Sequence, residues 1–246
     1  GLIPLASIIV EPAKVLFLNN AINHGVFTPL GAEQVLEQGK SLLFLVEANP
    51  GPGAGLLLAI AIFGVGAARA TAPGALIIQF LGGIHEVYFP YALAKPTLIL
   101  ALIAGGATGV TTNMLFGSGL VAPAAPGSII AVLTATAPGS HLGVILSVLF
   151  SATVTFLITG VILRATRKRD LATADAEFAA AVAQTEANKG KSSTVLGGLR
   201  ANAEADGEAA ATPAAHVRSV VFACDAGMGS SAMGASVLRK KLEKAG

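Results

Sequence analysis

The sequence is poor in charged residues. Only 12% of its 246 residues are Asp, Glu, Lys or Arg, against about 25% in ordinary soluble domains. Residues 1–163 hold nine of the 30 charges, and none interrupts the 68 positions from Pro96 to Leu163. Water could not solvate a folded domain with such a stretch. We therefore exclude an ordinary soluble enzyme and predict an α-helical, multi-spanning membrane domain.

The low content of aromatic residues, net charge and cysteine narrows the class of protein further. There is no Trp, and aromatic residues make up only 5% of the chain, which leaves few candidates for an interfacial belt. The formal net charge of +2, without a long basic face, gives no reason to expect nucleic acid. The single cysteine, Cys224, excludes an internal disulfide and fits a reducing compartment.

Two segments have the length and composition of membrane spans. Leu142–Leu163 has neither charge nor proline, and at about 1.5 Å per residue its 22 residues cross a hydrocarbon core of about 30 Å. Thr97–Phe116 is also long enough. A basic cluster follows Leu142–Leu163 and consists of Arg164, Arg167, Lys168 and Arg169. Such a cluster marks the end of a span that lies on the cytoplasmic side of the membrane. We therefore expect the residues after 164 to be cytoplasmic, in a multi-pass membrane protein.

The remaining apolar segments are short or broken. Leu42–Val46 is too short to span on its own, and Ala54–Ala68 has only 15 residues. Ile129–Ala137, extended backwards through Gly117–Gly127, reaches spanning length but is interrupted by prolines. Broken and re-entrant segments line substrate cavities in transporters, whereas a simple anchor needs none. The pattern therefore favours a transporter with broken or re-entrant segments.

Two polar clusters lie within the apolar region. The first cluster contains Asn19, Asn20, Asn23 and His24, and the second contains His85 and Glu86. Amides and a carboxylate suit a polyol, because each hydroxyl both donates and accepts. The alternative is that each cluster is a loop at the membrane interface, solvated by headgroups. Glu11 and Lys14, three residues apart, are expected to pair with each other or to lie at an interface.

The C-terminal part has a different composition. Residues 171–215 are rich in alanine and predict a flexible linker, with a short helix over Ala172–Ala187. After them His216–Ala223 predicts a buried strand, Cys224–Ser231 a tight loop, and Ala232–Leu242 a helix, which is the start of an α/β domain with a parallel sheet.

This strand, loop and helix predict a phosphate cradle in which backbone N–H groups and the helix N-terminus face an anion. The cradle residues are Asp225, Ala226, Gly227, Met228, Gly229, Ser230 and Ser231. Cys224 at its mouth would have a lowered thiol pKa and act as a nucleophile. The alternative is a small buried cysteine at a strand end. A phosphatase would carry Arg where Ser230 stands, so phosphoryl transfer is favoured over hydrolysis.

With these motifs the chain resembles the mannitol-specific enzyme II permeases of the bacterial phosphoenolpyruvate-dependent sugar phosphotransferase system. The resemblance rests on four stretches: Asn19–Gly25, Gly83–Tyr91, Lys95–Leu98 and Cys224–Gly234. It implies that residues 1–170 are the C-terminal part of the membrane IIC domain. It also implies that 171–215 form the linker and 216–246 the beginning of the IIB domain.

The resemblance also implies a phosphorelay. A phosphoryl group from phosphoenolpyruvate passes through carrier proteins to a IIA protein or domain, then to Cys224, and finally to mannitol, which leaves as mannitol 1-phosphate. The family's substrate-binding segments are matched here by six residues: Glu86, His85, Asn19, Asn20, Asn23 and His24. The family forms homodimers through IIC, and the resemblance implies no metal and no cofactor of the protein's own.

Two expectations remain beside this interpretation. Only 22 residues follow Cys224, and one strand with one helix cannot bury a core, so we expect the chain to be a fragment. The alternative function is a membrane sensor or channel with a redox-active cytoplasmic thiol, which would need Cys224 but no phosphate cradle.

Overall fold

A computed structural model of the chain describes residues 2–189. The predicted strand, Cys224, its phosphate loop and the following helix lie outside that range. Ten α-helices form the described part: α1 (Ser7–Val15), α2 (Asn19–Ile22), α3 (Thr28–Gln38), α4 (Leu43–Ala48), α5 (Gly51–Phe63), α6 (Gly66–Phe80), α7 (Phe89–Ala94), α8 (Leu98–Leu115), α9 (Ile129–Thr134) and α10 (His141–Lys189). Shorter helical turns cover Ile3–Ala6, Asn23–Phe27 and His85–Tyr88.

Three of the described helical segments are long and apolar enough to cross a membrane. Leu98–Leu115 and His141–Thr173 confirm the two spans predicted from composition. The third, Leu43–Phe63, was not predicted, because sequence reasoning treated Leu42–Val46 and Ala54–Ala68 as separate segments.

Helices α4 and α5 form that third segment with a short break between them. Asn49 leaves the helical conformation, and its Oδ1 accepts a hydrogen bond from the Gly51 N–H at 2.9 Å. Pro50 caps α5 and Pro52 lies in its first turn, where a missing N–H is tolerated. The prolines therefore start a helix here instead of ending a span.

The segment from 117 to 137 does not cross the membrane as one helix. Residues 117–128 form turns and irregular backbone, and α9 is only six residues long. The Ser128 hydroxyl accepts the Ala131 N–H at the start of α9. Proline fixes φ and removes a donor, so the prolines that interrupt this region prevent a continuous helix.

A close contact between α8 and α10 forms the centre of the bundle. The hydroxyls of Ser147 and Ser151 donate to the carbonyls of Gly109 and Gly105 at 2.9 and 2.8 Å. Glycines let the two backbones approach, and the hydroxyls satisfy polar groups that lipid would leave unpaired. The helices thus pack through small and polar side chains.

Helix α10 continues well beyond its apolar part. Its 49 residues correspond to a length of about 70 Å. The helix predicted over Ala172–Ala187 is present as the continuation of α10 to Lys189. Phe178 and Val182 on this continuation are buried in the main apolar core, so its first turns after the basic cluster pack against the bundle.

Candidate functional site

A group of buried polar side chains lies where α2, α4 and the turn before α7 meet. Asn19 begins α2, Glu47 is in α4, and His85 begins the turn His85–Tyr88. The Nδ2 atom of Asn19 is 3.1 Å from Nε2 of His85, and Oε1 of Glu47 is 3.3 Å from the same nitrogen. We call Asn19, Glu47, His85 and the neighbouring Gln79 the buried polar site.

Two buried acceptor atoms of this site, Oδ1 of Asn19 and Oε1 of Gln79, have no hydrogen bond to any described residue. The Glu47 carboxylate interacts with the Asn19 amide and lies 3.3 Å from Nε2 of His85. A buried acceptor without a partner costs about 1–3 kcal/mol, so two such atoms in one region require an explanation. A ligand rich in hydroxyl donors would satisfy them.

The imidazole of His85 links the two polar clusters seen in the sequence. Burial, with the nearby Lys14 ammonium, lowers the pKa of His85 well below its ordinary value. His85 is therefore neutral, and its contact with Glu47 is not an ion pair. Its Nε2 can accept from the Asn19 amide or donate to Glu47 but cannot do both. One neighbour is thus left available to a ligand.

A buried ion pair supports the α4 side of the site. The Lys14 ammonium donates to Oε1 of Glu11 at 2.7 Å and to the Val46 carbonyl at 3.2 Å. This confirms the predicted Glu11–Lys14 pairing. Because the carbonyl belongs to the residue before Glu47, Lys14 also holds the backbone from which the Glu47 carboxylate projects.

Gly127 brings a third segment of the chain against the site. Its N–H donates to the Ala48 carbonyl at 3.2 Å. Its φ of 86° favours glycine, and a Cβ there would lie 2.9 Å from the His85 Cβ. The Gln79 amide donates to the Pro50 carbonyl at 3.1 Å, which places Gln79 beside the break between α4 and α5.

The structure separates the residues that the sequence grouped together. Asn19 is buried and contacts His85, whereas Asn20 and His24 are exposed and Asn23 is half-buried. Glu86 is half-buried and lies within electrostatic range of Glu47. Of the predicted substrate residues, the structure thus brings together Asn19 and His85, with Glu86 nearby. Asn20 stays in contact with Asn19, whose Nδ2 donates to the Asn20 Oδ1 at 3.5 Å.

Sequence reasoning missed Glu47 and Gln79. The available signal was the position of Glu47, a single carboxylate directly after the apolar run Leu42–Val46. An ionisable group next to such a run is costly at membrane depth and is typical of a functional site. Gln79 gave no comparable signal, since an uncharged amide in an apolar helix is common.

A large cavity in the described part of the chain lies elsewhere. It has a volume of about 650 Å³ and is bounded by α5, α6, α9 and α10. Its lining is almost wholly apolar, with Leu58, Phe80 and Phe156 among its walls, so it offers a polyol almost no hydrogen-bond partners.

Within residues 2–189, no three His, Asp or Glu side chains are grouped so that they could hold a metal ion.

Curated relatives match the chain along its whole length. It is 54% identical over 245 residues to a protein from Bacillus subtilis named PTS system mannitol-specific EIICB component. It is 52% identical over 250 residues to a mannitol-specific EIICBA component from Vibrio cholerae, and 50% identical over 245 residues to another from Escherichia coli. Each match covers 100% of this chain, and 50%, 37% and 37% of the respective relatives.

The chain thus spans half the length of the Bacillus relative, and less of the two EIICBA relatives. No family profile matches the chain, and no solved structure matches it significantly.

Proposed function

We propose that this chain belongs with the mannitol-specific EIICB and EIICBA components of the phosphotransferase system, to which it is similar over its full length, and that it takes part in the uptake of mannitol with phosphorylation to mannitol 1-phosphate. The observation that carries the proposal is the group of buried polar side chains Asn19, Glu47, Gln79 and His85, in which Oδ1 of Asn19 and Oε1 of Gln79 have no hydrogen-bond partner among the described residues. These side chains lie in a helical, apolar part of the protein. Hydroxyl donors of a hexitol complement them.

We assign substrate binding to the buried polar site together with Glu86. A carboxylate can accept two hydroxyl protons at once, and the amide of Asn19 can both donate and accept. The half-buried position of Glu86 suits contact with a substrate that enters from outside the core. Asn20, Asn23 and His24 are then assigned to the entry side and not to the central contacts.

We assign the phosphoryl carrier to Cys224, with the loop Asp225–Ser231 as its phosphate cradle. In the transfer step the sulfur–phosphorus bond breaks and an oxygen–phosphorus bond forms to a mannitol hydroxyl. The hydroxyl proton passes to a carboxylate of the site. A phosphorylated IIA protein or domain supplies the phosphoryl group, and the protein acts as a homodimer in the bacterial inner membrane. The support for these assignments is the family and the Cys224–Gly234 motif.

A reciprocal pair of substitutions tests the function in the complete protein. Cys224→Ser should abolish phosphorylation by the phosphorylated IIA donor and leave mannitol binding intact. Glu86→Ala should weaken mannitol binding by about tenfold or more, the loss of a charge-assisted hydrogen bond, and leave Cys224 phosphorylation intact. The measurements are radiolabel transfer to protein and equilibrium binding of labelled mannitol.

The outcomes separate the proposal from its alternatives. Mannitol phosphorylation that survives Cys224→Ser would remove Cys224 from the relay. A Cys224 that oxidises readily but never accepts phosphate would favour the sensor or channel with a redox-active thiol. Unchanged mannitol affinity in Glu86→Ala would remove Glu86 from the binding site.

A further inference from the structure

A set of contacts joins α7 to the part of α10 that follows the basic cluster. The Lys95 ammonium, directly after α7, forms an ion pair with Asp170 and also bonds to the Thr166 hydroxyl. The rings of Tyr91 and Phe178 pack with centroids 4.9 Å apart. We call Tyr91, Lys95, Thr166, Asp170 and Phe178 the α7–α10 clamp.

The clamp is well shielded from solvent and geometrically specific. The side chains of Lys95 and Asp170 are 12% and 13% exposed, and Tyr91 and Phe178 are each 2% exposed. The Thr166 hydroxyl lies 2.8 Å from Oδ2 of Asp170, so the carboxylate has two partners. A shielded ion pair adds little to the free energy of unfolding compared with two apolar side chains in the same place. Its clearest effect here is to define one arrangement of α7 relative to α10.

The two ends of the clamp lie on functionally different segments. Helix α7 follows the turn that holds His85 and Glu86, and the Phe89 ring packs against the His85 imidazole at 5.4 Å between centroids. Helix α10 continues past Asp170 to Lys189, in the direction of Cys224 along the sequence. The six residues of α7 therefore connect the buried polar site directly to the helix that leads towards the predicted phosphoryl carrier.

We propose that the α7–α10 clamp is a positioning device that links mannitol occupancy of the buried polar site to the position of the C-terminal half of α10, and thereby aligns phosphoryl transfer. This inference rests on the proposed function. When a ligand moves His85 and Glu86, α7 moves with them because it is short and packed at both ends. Lys95 and Tyr91 then carry α10 along.

The first experiment separates binding from transfer in the complete protein. Lys95→Met and Asp170→Asn should each leave mannitol affinity within about twofold and slow transfer from phosphorylated protein to bound mannitol by roughly tenfold. The reversed pair Lys95→Asp with Asp170→Lys should restore much of the rate, which a loss of folding would not allow. Lys168→Met, which removes an exposed cation of the same helix, serves as the matched control and should change neither measurement.

A second experiment needs no phosphate. In a protein in which Cys224 and any cysteine outside residues 1–246 are replaced by Ser, Leu171→Cys places a single thiol on an exposed position of α10 next to Asp170. Saturating mannitol should change its maleimide reaction rate, and adding Lys95→Met should remove that change without removing binding.

Two results would overturn the inference: transfer rates in the single variants equal to those of the unaltered protein, or a mannitol effect on the thiol that persists in Lys95→Met. Failure of the unaltered protein to phosphorylate mannitol would instead contradict the proposed function, and the thiol experiment would still decide whether the clamp links the two regions.

Discussion

Glu47 shows how a single residue can determine the chemistry of a membrane site. Its side chain is 1% exposed, and its described polar neighbours are the neutral imidazole of His85 and the amide of Asn19. A buried carboxylate with so few partners is unfavourable unless something else donates to it. The proposed role of Glu47 is in binding and not in stability, and its replacement should separate these two properties.

We predict that Glu47→Gln lowers mannitol affinity by about tenfold or more, because the amide accepts one hydroxyl proton where the carboxylate accepts two. The same change should not lower the thermal stability of the detergent-solubilised protein, since it removes a buried charge. Equilibrium binding of labelled mannitol and a thermal melt measure the two effects.

Glu37→Gln is the matched control for Glu47→Gln, because Glu37 is exposed on α3. It should alter neither affinity nor melting temperature. If the two variants bind mannitol equally well, Glu47 does not contact the substrate.

At the scale of the helices, the packing of α5 against α10 depends on a close approach of their backbones. A Cβ on Gly51 of α5 would lie 2.6 Å from the Val148 carbonyl oxygen of α10, and a Cβ on Gly55 would clash with the Ala152 carbonyl. Carbonyls of a packed helix cannot move aside as a flexible side chain can. The contact between α5 and α10 therefore depends on glycine at these two positions.

We predict that Gly55→Ala destabilises the bundle by about 1–3 kcal/mol, the usual cost of overpacking. Gly74→Ala in α6 is its counterpart, because a Cβ there meets nothing within 4 Å. That variant should be neutral or stabilising by up to about 1 kcal/mol, from helix propensity alone. Denaturant-induced loss of helical circular dichroism compares them. Equal stabilities would show that α5 and α10 do not pack as described.

For the whole molecule, the basic cluster at Arg164–Arg169 predicts the orientation in the membrane. It follows the apolar part of α10 directly, and a bias of Lys and Arg to one side sets topology. Asp170 and Phe178 of the α7–α10 clamp follow this cluster in the chain, as does the predicted linker. The proposed relay requires these parts to share one compartment with the phosphoryl donor.

We predict that a thiol at position 168, introduced as Lys168→Cys in the Cys224→Ser protein, lies on the cytoplasmic side. A membrane-impermeant maleimide should label it in inverted vesicles and leave it unlabelled in intact cells. A thiol introduced at the other end of this span, as Leu142→Cys, should show the opposite pattern. Labelling of position 168 from outside intact cells would reverse the proposed topology.

The sequence by itself determined the class of protein, the two clean spans and the resemblance to mannitol-specific permeases. Charge depletion, apolar length and flanking Arg and Lys are properties of consecutive residues, and the bilayer responds to them directly. The motifs around His85 and Cys224 are likewise local, so they could be read without a fold. The helix after the basic cluster was also predicted from local composition.

Only the tertiary structure decided which polar groups meet. Glu47 and His85 are far apart in the chain, and no local pattern states that α4 faces the turn before α7. The span over Leu43–Phe63 was missed for a related reason, since Pro50 and Pro52 break a helix or begin one depending on how Asn49 caps it. The selection of Asn19 over Asn20, Asn23 and His24 depends on which face of α2 packs inward, and packing is a property of the whole bundle.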